Sequence, residues 1–370
     1  MNLVEALVVT LACAAVSRFY LHMLQLESYQ LDGYLRWMNN NRERLFGATL
    51  AVGLTATVAS LLLPLFFMMF ARHTGQMIGD IVTLVGFAAA ALYTFQSQYA
   101  VAQKKPLVFT PRMIRLAACQ CALILLLAGL LSWLSIPPYL LFIAVPYMPL
   151  ASGFLMQPVE QRIHAKFAAQ AKTRLAQIEG LIKIGITGSF GKTSTKFALA
   201  TILSEKYRTY ASPGSTNTPM GLSRVINEQL EDDCEVFIAE MGSRHVGDIR
   251  ELCQLVEPQY GVITSIGAAH LETFGNIATV ANAKFELIES LPKDGCAFFG
   301  TGGEIDKLYA RCHMRKVSAG IETGNVRAYD IESGPFGSRF TLARGEEHVR
   351  CETQLLGRHN IANITLASAV

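Results

Sequence analysis

Apolar positions are spread unevenly along the chain. Before residue 157 they form long uncharged runs, and after it they recur in short runs at strand and helix spacing. Uncharged stretches cover 45–71, 81–103 and 116–159. The last is too long for one helix and is broken at Pro137 and Pro138, so it reads as two helices joined by a tight turn. Another run opens at about Leu3, is free of charge over 6–17, and continues past Arg18, whose guanidinium reaches back to the interface. A bilayer crossing needs about 20 apolar residues. Five transmembrane helices are therefore expected within 1–156. Residues 1–24 lack a basic leader and carry Glu5, which argues for a retained span over a cleaved signal peptide.

The pattern then changes. Across 157–180, Ile163, Phe167, Ala171, Leu175 and Ile178 fall on one face of an amphipathic linker helix. Two placements fit this helix: on an anionic inner leaflet, or packed on the domain that follows. Residues 181–187 (LIKIGIT) are a β-branched buried strand, followed by a helix running to Ser204. Further strands are expected at 207–211, 234–240 and 260–265, with a helix from Gly221. Gly, Pro, Asp and Asn punctuation in 320–352 predicts β-hairpins over 327–342 and 347–355. Strands alternating with helices define an α/β domain over 181–370, a mostly parallel sheet with helices on both faces and peripheral hairpins.

Composition sharpens this division. Hydrophobic content of 51% with 16% charged residues excludes a disordered or nucleic-acid-coating chain. Residues 1–156 carry nine Lys/Arg and five Asp/Glu, against 23 and 24 in 157–370. The net charge of +3 gives no reason to expect a nucleic-acid partner. In the first part the basic residues alternate. The connection 18–44 holds Arg18, Arg36, Arg42 and Arg44, and 104–115 holds Lys104, Lys105, Arg112 and Arg115. The other connections hold Arg72 or no basic residue. Positive-inside counting then puts the N-terminus outside and everything after Met156 in the cytoplasm. Pro146 and Pro149 are the weak point of the fifth span. Eight cysteines without a C-x-x-C pair read as buried free thiols in a reducing compartment.

Candidate chemistry begins at Gly188. A strand, a glycine turn and then Lys-Thr at a helix start make a phosphate cradle. Backbone N–H groups of Gly188, Ser189, Gly191 and Ser194 face the phosphates, Lys192 reaches the β and γ oxygens, and Thr193 offers its hydroxyl to Mg²⁺. Strict Walker spacing asks for glycine at 186; here Ile186 stands there, and the glycines are Gly185, Gly188 and Gly191.

This shortened T-G-S-x-G-K-T resembles the Mur ligase family, the ATP-dependent amide-forming enzymes of peptidoglycan assembly. Other segments follow in the family's order: CEVFIAEMGSRHVGDI, YGVITSIGAAHLETFGN, IATVANAKFELIE and LLGRHNIANITLASAV. H-L-E-x-F-G and the fourteen-residue spacing from His270 to Lys284 are most similar to the branch that adds D-alanyl-D-alanine.

The resemblance implies roles. Glu240, at the end of CEVFIAE, matches a Mg²⁺ ligand, and His270 a ligand to a second Mg²⁺. Lys284 matches the lysine that family members carbamylate, converting a cation into an oxygen ligand. Asn360, with His359 and Asn363, matches the adenine-contacting segment, although Asn is also a good helix N-cap. Asn217, Thr218, Arg244 and His245 are candidates for the substrate side. Implied with them are ATP, two Mg²⁺, a peptidoglycan precursor carboxylate activated as an acyl phosphate, and an amine such as D-Ala-D-Ala. Two departures stand out. Five spans replace the uridine-nucleotide domain, and the sequence stops at Val370 where the family's C-terminal ligase domain is expected, as in a fragment. The alternatives are a poly-γ-glutamate synthase-like ligase and a non-catalytic ATP-binding membrane scaffold. No LSGGQ-like signature points to a transporter ATPase.

Overall fold

A computed structural model of the chain describes residues 3–70, 74–99 and 106–370. Arg72, Lys104 and Lys105 of the expected topology lie outside the described residues, as do the last positions of the expected runs 45–71 and 81–103. The chain forms two compact units, Met1–Arg162 and Ile163–Val370.

The first unit is helical: α1 (Leu3–Leu26), α2 (Leu31–Asn40), α3 (Arg42–Phe70), α4 (Gly75–Tyr99) and α5 (Pro111–Trp133). Short 3₁₀ turns flank α6 (Leu141–Ala144), and α7 (Met148–Gln177) follows. The turns occupy the stretch holding Pro137, Pro138 and Pro146, because proline removes a helical donor and crowds the preceding turn. Among the described residues, five segments are by length and composition long and apolar enough to cross a membrane: Val4–Leu26, Thr49–Phe70, Gly75–Ser97, Pro111–Trp133 and Pro138–Gln177. α4 begins at Gly75, ahead of the uncharged run, because Asp80 is accommodated inside the helix. α4 packs on α3 through Gly75 and Gly79, where an added Cβ would collide with the backbone at Met68 and Pro64. On the outer faces Leu65, Met69, Phe70, Leu126 and Trp133 are exposed.

The expected separate linker helix at 157–180 is corrected by the structure. Those residues are the second half of α7, and the unit boundary falls at Arg162/Ile163. Nothing interrupts the helix, since Pro158 is tolerated inside it. Ala171, Leu175 and Ile178 are buried in the core of the second unit, and Asn227 Nδ2 donates to the Phe167 carbonyl at 3.1 Å. Of the two placements, packing on the domain is the one formed.

The second unit follows with β1 (Ile182–Thr187), α8 (Lys192–Ser204), β2 (Thr209–Ala211), α9 (Pro219–Gln229) and β3 (Val236–Glu240). Next come α10 (Asp248–Val256), β4 (Tyr260–Ile263), α11 (Leu271–Phe274), α12 (Ile277–Glu289), β5 (Cys296–Phe299) and α13 (Glu304–Arg311). The last elements are β6 (Lys316–Ile321), β7 (Val326–Gly334), β8 (Gly337–Arg344), β9 (Glu347–Thr353) and α14 (Arg358–Ser368). One sheet runs β2-β3-β1-β4-β5-β6-β7-β8-β9, parallel from β2 through β7 and antiparallel over β7–β9.

Period-two alternation gives each central strand two buried faces. Phe237 and Ala239 of β3 meet α7, α9 and α10 on one side, while Val236 and Ile238 meet α8 and α14 on the other. The parallel strands β1, β3 and β4 present their carboxyl ends together, where loops bind ligands in such sheets. All eight cysteines are free thiols, but the expected burial holds for five: Cys119 and Cys351 are half-buried and Cys121 is exposed.

Candidate nucleotide and cation site

The glycine loop leaves β1 at Thr187 and enters α8 at Lys192. It is pinned by the segment after β4. Ser189 N–H donates to the Ser265 carbonyl at 2.8 Å, Gly267 N–H donates to Ser189 Oγ at 3.0 Å, and Phe190 N–H donates to Ser265 Oγ at 3.1 Å. Gly191 caps the helix at φ 82°, a left-handed conformation that suits glycine. Lys192 Nζ donates to the Gly188 carbonyl at 2.8 Å, spanning the loop. Burial pulls the Lys192 pKa down and Glu240 partly opposes this. Ser194 is exposed.

Glu240 ends β3 almost fully buried. Its Oε2 accepts from Thr193 Oγ1 at 2.9 Å and Lys196 Nζ at 3.0 Å, and its Oε1 accepts from Asn217 Nδ2 at 3.1 Å. It is therefore neither a helix cap nor a solvated loop carboxylate. A hydroxyl and a carboxylate held side by side at a phosphate-type loop are hard oxygen donors, and they fit a Mg²⁺ ion.

Lys284 lies in the middle of α12, which begins at Ile277. It is 3% exposed and donates to Ser243 Oγ at 3.3 Å. Burial first, and then the Lys192 charge, lower its pKa to about 8. His270 precedes α11 at φ 54°. Desolvation, then Arg244 and Lys284, push its pKa down, which favours the neutral imidazole that can ligate a metal. Among the described residues no three His, Cys, Asp or Glu side chains converge. A second cation at His270 and Lys284 would thus need oxygens that an amine does not supply.

The remaining candidates separate. Gly357 is the N-cap of α14, so Asn360 does not cap it; Asn360 Nδ2 turns back to the Leu356 carbonyl at 2.9 Å. Asn363, one turn further, lies against Gly191 of the loop. Thr218 caps α9, accepting from Gly221 N–H at 3.3 Å. Arg244 and His245 donate their backbone N–H groups to Asp248 Oδ2 at 2.7 and 2.8 Å. Sequence reasoning passed over Lys196, Ser243 and Ser265. For Lys196 a signal existed, since it stands one helical turn after Lys192 on a face that must point inward.

A family model described as Mur ligase middle domain matches residues 186–370. The chain belongs to the Mur ligase family. It is 31% identical over 200 residues to UDP-N-acetylmuramoyl-tripeptide–D-alanyl-D-alanine ligase of Bacillus subtilis (strain 168), covering 54% of this chain and 42% of that protein. It is 36% identical over 204 residues to the ligase of that name from Treponema pallidum (strain Nichols), covering 51% and 41%. Among solved structures, a crystal structure of MurF from Acinetobacter baumannii matches with TM-score 0.52 and 29% identity, over 56% of this chain and 46% of that one. MurF ligase from Thermotoga maritima in complex with ADP matches with TM-score 0.52 and 25% identity, over 55% and 48%. The chain thus spans less than half the length of these relatives.

Proposed function

We propose that this protein is an ATP-dependent peptide ligase of cell-wall precursor synthesis, joining the carboxylate of a muramoyl tripeptide to D-Ala-D-Ala. The observation that carries the reading is the Thr193–Glu240 pair, 2.9 Å apart beside Lys192 at the phosphate-type loop. The names of the relatives and the ADP of the Thermotoga structure support it.

The reaction transfers the γ-phosphoryl group of ATP to the carboxylate, giving an acyl phosphate and ADP. The amine then attacks the acyl carbon, phosphate leaves with the C–O bond, and the amine loses a proton. Positioning and charge neutralisation are the protein's part. Loop N–H groups and Lys192 hold the phosphate oxygens, and Asn363 borders the loop at Gly191. Thr193 and Glu240 would hold Mg²⁺, whose charge offsets that of the β and γ oxygens. Lys284, with a pKa of about 8, presents enough free amine at neutral pH to add CO₂, forming a carbamate and releasing a proton. That carbamate would supply the oxygens His270 lacks. Arg244, close enough to disfavour charge on His270, is assigned to an anionic substrate group.

We infer that the five apolar segments cross a bacterial cell membrane with the ligase unit in the cytoplasm, where ATP is supplied. The full-length gene product in detergent tests the function. Phosphate release should require ATP, the UDP-linked tripeptide and D-Ala-D-Ala together. Nucleotide binding with no turnover under any acceptor would favour a scaffold instead. Accessibility of single introduced cysteines from each side of the membrane tests the topology.

A further inference from the structure

Lys196 is an ammonium with no exposed surface, on the same face of α8 as Thr193. It touches two partners distant in sequence: the Glu240 carboxylate at 3.0 Å and the backbone carbonyl of Gly214. Gly214 belongs to the loop 212–218, which wraps around Glu240. Glu240 N–H donates to Ser212 Oγ at 3.2 Å, Asn217 Nδ2 holds Oε1, and Gly242 N–H donates to the Asn217 carbonyl at 3.0 Å.

We propose that Lys196 is a positioning residue that locks the Glu240 carboxylate and the 212–218 loop into one unit, so that the cation site and the substrate-side loop are ordered together. This rests on the reading of Glu240 as a cation ligand. Thr193 and Lys196 grip the same oxygen, Oε2, from one helix face, and Asn217 fixes the other oxygen from the loop. The carboxylate is thereby held at both oxygens. The loop, which has no strand or helix of its own, is held at Gly214 by a charge-assisted bond. Without Lys196 the buried carboxylate loses its paired cation and the loop loses that tie.

The test uses the full chain in detergent with Lys196→Met. Hydrogen exchange of loop 212–218 is measured without Mg²⁺ or nucleotide, with peptides from β1 and β4 as fold controls. The expected result is exchange of the loop about ten-fold faster or more, with control peptides unchanged. ADP binding is then titrated with and without Mg²⁺. Affinity without Mg²⁺ should hold within about two-fold, while the gain that Mg²⁺ brings should fall about ten-fold. Loop exchange at the wild-type rate, or equal losses of ADP affinity with and without Mg²⁺, would overturn the proposal.

If the control peptides also exchange fast, Lys196→Ala is soaked with propylammonium. Loop protection regained with the amine but not with propanol supports the tie, and equal behaviour in both sinks it. A wild-type chain that binds no ADP with Mg²⁺ would refute the proposed function. The ligand-free exchange would still decide the role of Lys196.

Discussion

Gly191 and Asn363 share one small space: a Cβ built on the glycine would stand 2.5 Å from Asn363 Oδ1. The glycine belongs to the loop after β1 and the asparagine to α14, so early and late parts of the second unit meet at the glycine loop. Gly191→Ala combines this clash with a φ of 82°. A cost of about 1–3 kcal/mol in stability is expected, with ADP affinity falling by about ten-fold or more. Thermal melting and ADP titration check both.

The contrast between the two asparagines gives a second test. Asn363→Ala should weaken ADP binding by several-fold, on the order of 1 kcal/mol. Asn360→Ala should leave affinity nearly unchanged, since its side chain is spent on the Leu356 carbonyl. Equal losses at both positions would contradict this assignment.

Lys192→Met removes the ammonium that spans the loop to Gly188. Loss of a charge-assisted contact to phosphate should cost about 2 kcal/mol, or roughly thirty-fold in nucleotide affinity. The fold should persist, because the contact is local, four residues apart where the loop enters α8. Isothermal titration with ADP, with circular dichroism beside it, makes the check.

The pKa of Lys284 predicts a pH dependence. Its folded value of about 8 lies below the unfolded value of about 10.4. Between the two the unfolded chain binds more protons, so stability rises as pH climbs through that window. Urea midpoints at pH 7.5, 9 and 10 should increase with this contribution, and Lys284→Met should remove it. At a fixed CO₂ concentration, mass gain at Lys284 should rise through pH about 8, the folded value, since only the neutral amine reacts.

Leu175 of α7 is buried with Ile226 and Leu252 in the core of the second unit. Leu175→Ala should destabilise that unit by about 2–5 kcal/mol, read by proteolysis of 163–370 in urea. A helix half lying on lipid would show no such loss.

The parallel strands β1 to β4 were legible as short apolar runs, clearest at 182–187 and 236–240, whereas β5 and β6 were not among the expected strands, and CAFF of β5 carries no β-branched residue. The strand–glycine loop–helix arrangement at 182–204 was legible for the same local reason. What escaped was set by distance. Nothing near residue 196 announces Gly214 or Glu240, and only the fold brings them to its ammonium. Asn360 and Asn363 are equivalent as letters, and the turn of α14 decides which one faces the loop. The start of the expected linker at 157 failed for another reason: a rise in polarity does not end a helix, and α7 runs straight through it.

The order of the sheet has a kinetic consequence. β1 is an interior strand, third from the β2 edge, and its register partners, such as Val236 and Tyr260, lie more than 50 residues away. Pairings of this separation close long loops before any contact repays the lost entropy. The carboxyl ends of β1, β3 and β4 therefore come together late in refolding. Nucleotide binding should appear as one of the last events of folding, and a nascent chain should stay incapable of it until well past residue 260.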